Sequence, residues 1–394
     1  MHESWAARAD LAEQAITTRH VRRLWGVPGT ALGVVGWPAV RRERGYLRWH
    51  YWWQAHLIDC CIDAALRSAD GRGRRRVARL TRSVRMRNMG RWTNAYYDDM
   101  AWLGLALQRA QQDLAIDNRS AITALEDRLM VGFNPVVGAL PWRTYRRPDQ
   151  AFFNVPANGP AAILLARTGR VWRAEAMVDW MHETLRDPET GLMFDGIHAD
   201  GSLERKFYSY CQGVVLGAET ELAIAVGDDR HVERVRALVD AVDRELCEDS
   251  VITGGGGGDG GLFNGILARY LALVARTLPG HDAQTERARA VAAHIVLTTA
   301  EHAWDNRLQI EGLPLFGRDW TAPATLPTSG SAVGSFHAGT VTPSEAAERD
   351  LSVQLGGWML MEAAAAIAPD VPADAGAEKS SAASIIDSLR NRLL

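Results

Sequence analysis

Apolar positions recur along this chain with helical spacing almost throughout, and the strict alternation expected of strands is scarce. The best strand candidate is the short Gly-Leu-Met-Phe-Asp-Gly stretch at 191–196, read as a small hairpin edge. The helical runs fall into two kinds. One is rich in Gly and Ala and opens with aromatic, Asn, Gln or Asp residues; its members start near His50, Asp98, Asn154, Tyr208, Gly261 and Asp350. The other is amphipathic and charged, most clearly at 4–24, 117–130, 171–187, 229–247 and 282–303.

The two kinds mostly alternate. Starts of the small-residue kind recur at steps of about fifty residues, with a longer gap before Asp350, the signature of a repeated helical hairpin. Small residues let helices crowd together, whereas charged faces belong on an outer layer. Six small-residue helices alternating with charged ones predict an all-α (α/α)6 toroid. An α-solenoid without a site would share the repeat, but it gives no reason for polar residues to gather at the same end of every inner helix.

The glycine run at 253–261 reads as a turn, because it lacks the Lys-Ser/Thr and preceding strand of a phosphate-binding loop. The segment 304–345, with Phe316, Trp320 and several prolines, is expected to be a long loop over one end of the toroid. The stretch 370–382 reads as a link to a short terminal helix. Residues 1–394 are expected to form one catalytic domain, a length ample for one large core.

Composition narrows the function by exclusion. Net charge is −3 with acids and bases interspersed, which argues against nucleic acid as a partner. Lysine occurs only at Lys206 and Lys379, and the arginine run from Arg72 to Arg79 reads as a solvated loop and helix start. Neither a signal core nor a membrane-spanning stretch is visible, so a cytoplasmic protein is expected. Cys60, Cys61, Cys211 and Cys247 form no CxxC pair, so no zinc site and no disulfide framework is indicated. No cofactor fingerprint is present, no metal site is expected, and oligomeric state is not readable.

Candidate chemistry lies at the heads of the small-residue helices. Asp98 and Asp99 precede an apolar run, and two adjacent carboxyls cannot ionise independently. A capping Asp followed by a second favoured by the helix dipole is the bland reading of the pair. Tyr97 and Trp102 flank it. On the helix from His50, Trp52, His56, Asp59 and Asp63 share one face with Trp53 at its edge, a stripe suited to a polar cavity. Asn154 and Asn158, Tyr208 and Gln212, Asp259, and Asp350 with Gln354 head the remaining inner helices. Flat rings with planar amides and carboxylates suit a neutral polyol. Trp320, in the long loop, is a further candidate sugar contact.

These segments resemble glycoside hydrolase family 76, the endo-α-1,6-mannanases, over residues 46–366. The resemblance rests on Tyr97-Asp98-Asp99 with Trp102, Ala157-Asn158-Gly159-Pro160, Tyr208-Ser209-Tyr210-Cys211-Gln212-Gly213, Asp259 to Ile266 with Arg269-Tyr270-Leu271, and Asp350 to Leu355 with Gly357-Trp358. It implies an (α/α)6 barrel acting on α-1,6-linked mannan or mannooligosaccharide with retention. It also implies Asp98 as nucleophile and Asp99 as general acid/base. Adjacency is compatible with this, since retaining carboxyls stand roughly 5–5.5 Å apart and inverting ones roughly 6.5–9.5 Å. Two departures are Cys211, where family members often carry Asn, and a beginning in which the signal peptide of many members is not visible. The alternatives are an inverting glycosidase or a sugar epimerase with His56 as base, and a non-catalytic mannan-binding protein.

Overall fold

The computed structural model describes residues 3–68, 71–328 and 332–368. Thirteen helices follow one another among these residues: α1 (Trp5–Arg19), α2 (Arg41–Arg44), α3 (Tyr51–Ser68), α4 (Gly71–Arg87), α5 (Tyr97–Leu114), α6 (Arg119–Gly132), α7 (Val155–Arg167), α8 (Val171–Leu185), α9 (Ser209–Val226), α10 (Asp229–Leu246), α11 (Phe263–Thr277), α12 (Ala283–Asp305) and α13 (Leu351–Ile367). Helices α3, α5, α7, α9, α11 and α13 pack side by side in that order, and α13 closes onto α3. Around this ring α4, α6, α8, α10 and α12 each pack on the inner helix before them, while α1 packs on α13. The architecture is the (α/α)6 toroid the two kinds of helix predict.

Local chemistry explains the division. Ser4, Asp228 and Asp282 cap the outer helices α1, α10 and α12 with side-chain oxygens. Inner helices are buried along most of their length and meet at glycines. A Cβ on Gly265 of α11 would stand 2.7 Å from the Gly356 Cα of α13, and one on Gly213 of α9 would stand 2.9 Å from the Leu267 Cα of α11. Helix α4 is the outer helix whose arginine run reads as partly loop in sequence. Its arginines are helical, with Arg76 paired to Glu13 of α1 and Arg74 donating to the Leu114 and Ala115 carbonyls. Exposed arginine on an outer face is compatible with helix as well as with loop.

Short β elements decorate the end where inner helices begin. The expected strand at 191–196 is displaced: Gly196–His198 is the central strand of a three-stranded antiparallel sheet, between Phe152–Asn154 and Leu203–Glu204. The segment 304–345 is not one loop. Helix α12 runs to Asp305, and two hairpins follow, Leu308–Ile310 with Leu313–Leu315 and Ser335–His337 with Thr340–Thr342. Gly258 has φ +59°, and a Cβ there would stand 2.1 Å from the Val341 carbonyl, so the glycine run lets the second hairpin lie directly on it. The link expected at 370–382 lies outside the described residues. No helix of the described residues is long and apolar enough to cross a membrane.

Candidate active site

A cavity of about 860 Å³ opens at the end of the toroid where the inner helices start. Its wall includes Trp52 of α3, Asp98, Asp99 and Trp102 of α5, Asn154 ahead of α7, Tyr208 and Tyr210 at α9, Asp259 and Phe263 at α11, and the hairpin carrying Phe336 and Val341. The N-cap of α5 is Tyr96, with no side-chain cap bond, so Asp98 and Asp99 occupy the first turn rather than the cap itself. Asp98 Oδ1 accepts from the Asp99 backbone N–H at 2.8 Å, and its Oδ2 accepts from Trp142 Nε1 at 2.8 Å. Asp99 Oδ2 accepts from Asn94 Nδ2 at 2.5 Å.

The two carboxyls therefore differ. Burial raises Asp98, and the charge of Asp259 adds to it; the two donors on its oxygens oppose the rise, and the group stands at about 7. Burial and then the charge of Asp98 raise Asp99 well above the usual carboxylate range, with the Asn94 donor opposing. Of the two, Asp98 is the carboxyl set to ionise first.

Asp259 is occupied by its neighbours. Its Oδ1 accepts from both Trp52 Nε1 and Trp53 Nε1 at 2.9 Å, and its Oδ2 from the Val341 N–H at 2.6 Å. It ties two indoles to the hairpin, and burial raises it to about 6. The aromatic wall is continuous: Tyr210 stacks on Phe263 at 4.0 Å, and Trp52 lies 6.4 Å from Trp102 and 6.5 Å from Tyr210.

Not every residue expected at the site is on this wall. Trp52, Asp98, Asp99, Trp102, Asn154, Tyr208 and Asp259 line it. His56 and Asp59 line a second cavity of about 570 Å³ at the opposite end, with Trp102 common to both. Burial lowers the His56 imidazole to about 3, and its ring lies 4.5 Å from that of Trp102. It is a poor candidate for a base.

Trp53, Tyr97, Asn158, Gln212, Asp350 and Trp320 are buried and line neither cavity. Asn158 holds the Leu140 N–H and C=O at 2.8 and 2.9 Å, and Gln212 holds those of Met193 at 2.8 and 2.9 Å. Gln54 and Gln354 hold Gly33 and Phe316 in the same way. Each is the fourth residue of an inner helix, clamping one residue of a connecting segment through both backbone groups. Asp350 accepts from the Gly258 and Ser344 N–H groups at 2.9 and 3.1 Å. The Tyr97 ring packs against Gly132 beneath Arg128. The Trp320 carbonyl accepts from Asn306, and its ring is enclosed.

Sequence reasoning missed Tyr96, Trp142 and Asp195. Trp142 follows Pro141 in a connecting segment with no periodicity, and Asp195 falls inside the stretch read as a strand edge. Asp195 lines the first cavity with Cys211 Sγ as a distant donor at 3.9 Å. Burial and Glu204 raise it to about 7, against the pull of Lys206. Among the described residues no group of three or more His, Cys, Asp and Glu side chains could hold a metal ion.

A family model described as Glycosyl hydrolase family 76 matches residues 8–347. The α-1,6-mannanase of Salegentibacter sp. HEL1_6 superposes with a TM-score of 0.76 at 27% identity, covering 93% of this chain and 100% of its own. An inactive variant of that enzyme, with two consecutive aspartates changed to asparagine, was solved in complex with α-1,6-mannotriose; it matches at 26% identity, with the same TM-score and coverage. The Lin0763 protein of Listeria innocua shares the fold with a TM-score of 0.74 at 24% identity, over 92% of this chain and 97% of its own. No curated protein sequence matches.

Proposed function

The chain belongs to glycosyl hydrolase family 76, and from that premise we propose that it hydrolyses α-1,6-mannosidic bonds with retention, Asp98 serving as nucleophile and Asp99 as acid and base. The observation that carries the reading is the unequal environment of two adjacent carboxyls. Asp98 has a hydrogen-bond donor on each oxygen, which favours its ionised form. Asp99, buried beside that charge, holds a proton.

In the first step an Asp98 oxygen attacks C1 of the mannosyl residue, and the bond from C1 to the leaving O6 breaks. Asp99 delivers its proton to that oxygen. The glycosyl ester on Asp98 is then attacked at C1 by water, from which Asp99 takes a proton, and Asp98 leaves as carboxylate. Two inversions at C1 give net retention. Trp52, Trp102, Tyr210 and Phe263 offer ring faces to the sugar, and Asp195, whose side chain has only the long Cys211 thiol contact as a hydrogen bond, can accept from sugar hydroxyls. Trp53 and Asp259 act at one remove by fixing Trp52 and the hairpin.

Support for mannan as substrate comes from the α-1,6-mannanase neighbours and their mannotriose complex. An epimerase reading has less support, because His56 lies at the opposite end and is held neutral. Asp98→Asn and Asp99→Asn are each expected to lower oligosaccharide release from α-1,6-mannan by about 10³-fold or more, with an unchanged circular dichroism spectrum. Full activity in either variant would remove that residue from the mechanism.

A further inference from the structure

The wall beside Trp142 carries a cation with no counter-charge. Arg143 lines the catalytic cavity and is half-buried. Its guanidinium carbon lies 5.5 Å from the Trp142 ring centroid, 5.7 Å from Tyr145 and 5.9 Å from Tyr96. Its hydrogen bond to the Tyr96 hydroxyl is long, at 3.4 Å. Ring faces attract a guanidinium and fix its plane, but they bring no negative charge. Among the described residues no carboxylate stands within ion-pair distance of it.

Half-buried arginines elsewhere in the chain divide into two sets: among the described residues Arg87, Arg128, Arg173 and Arg307 lie over aromatic rings away from this cavity with no carboxylate within ion-pair distance, while a second set is paired. Arg67, Arg76, Arg109, Arg167, Arg234 and Arg269 each meet a carboxylate. Arg48, across the hairpin on the same cavity, also lacks one and donates to the Gly334 carbonyl. A guanidinium with spare N–H donors matches an oxyanion in two-point geometry better than it matches single hydroxyls. It is also linked to Asp98 through Trp142, whose indole beside it donates to that carboxyl at 2.8 Å. The carboxylates of the cavity belong to other segments: Asp98 and Asp99 to α5, Asp259 to the turn before α11, Asp195 and Glu204 to the three-stranded sheet and its approach.

We propose that Arg143 receives an oxyanion carried by the glycan, so that the preferred substrate is a charged mannosyl chain rather than a neutral one. The glycosidase reading above supplies the sugar; the anion rests on Arg143 alone. The test compares kcat/KM for α-1,6-mannotetraose with that for tetraoses bearing a phosphate monoester, or a carboxylate, at either end of the chain. The expected result at low salt is a preference of about tenfold for one charged probe. Arg143→Gln should bring the charged-to-neutral ratio close to one, and Arg143→Lys should keep part of the preference. Equal kcat/KM for charged and neutral probes overturns the proposal, as does a preference that survives Arg143→Gln. A variant slower on every probe at an unchanged ratio marks Arg143 as a structural residue and overturns it too. If no probe is turned over, calorimetry with the same set decides. Tighter charged-probe binding that Arg143→Gln abolishes sustains the anion site while the mannanase reading fails; equal binding overturns both.

Discussion

At the head of the inner ring Asp98, Asp99 and Asp195 face a cavity, with no arginine within ion-pair distance among the described residues. At its far end Asp59 and Asp63 of α3 lie between Arg109 of α5 and Arg269 of α11. Arg109 reaches Asp59, and reaches Asp63 at 2.7 Å; Arg269 reaches Asp59 at 3.1 Å and Asp63 at 2.7 Å. Burial would raise Asp59, but the two guanidiniums override it and hold it down at about 2. The same burial, without guanidiniums, takes Asp98 to about 7. One residue type in one helical ring is thus set to opposite purposes by whether a cation accompanies it into the interior. The closed ring of four charges ties three inner helices together, and the open group keeps protons exchangeable near neutrality.

Removing a cation from the far end should hurt most. Arg269→Met leaves two buried carboxylates sharing Arg109, and is expected to cost about 3–5 kcal/mol of stability, read as a lower urea midpoint. A loss below about 1 kcal/mol would mean the ring is not what joins α3, α5 and α11.

The smaller effect sharpens the comparison through pH. A carboxyl lowered on folding, such as Asp59, contributes stability above its unfolded value near 4, and that stability is lost as pH falls through about 2. Asp98, raised to about 7, acts in the opposite sense: its share of stability falls as pH rises from about 4 to about 7. Asp98→Asn should therefore raise stability at pH 8 relative to pH 4 by roughly 1–3 kcal/mol against the parent. An identical pH profile in the two proteins would place Asp98 in an ordinary solvated environment.

Much of the fold is legible in the chain because packing imposes composition on whole helices. Small residues crowd the ring, as at Gly265 and Gly356, and charge is pushed outward, so the alternation survives in sequence. The site is legible only where it is local. Asp98 and Asp99 are neighbours whatever the fold does. Asn158 and Gln212 carry the same signature as sugar-binding amides, yet they turn to a connecting segment and hold its backbone. A polar residue at a helix head is pointed to by periodicity, but the object it meets is chosen by the loop lying across it. Trp142 and Asp195 show the converse, since connecting segments without periodicity reach the cavity only once the hairpins and the small sheet are in place.

The central claim is that two adjacent carboxyls of unlike affinity for protons carry out a double displacement. Proton NMR of the new reducing end, recorded on α-1,6-mannotetraose within the first minutes and before mutarotation, tests it most directly. The account predicts that the α anomer appears first. A β anomer appearing first would contradict it.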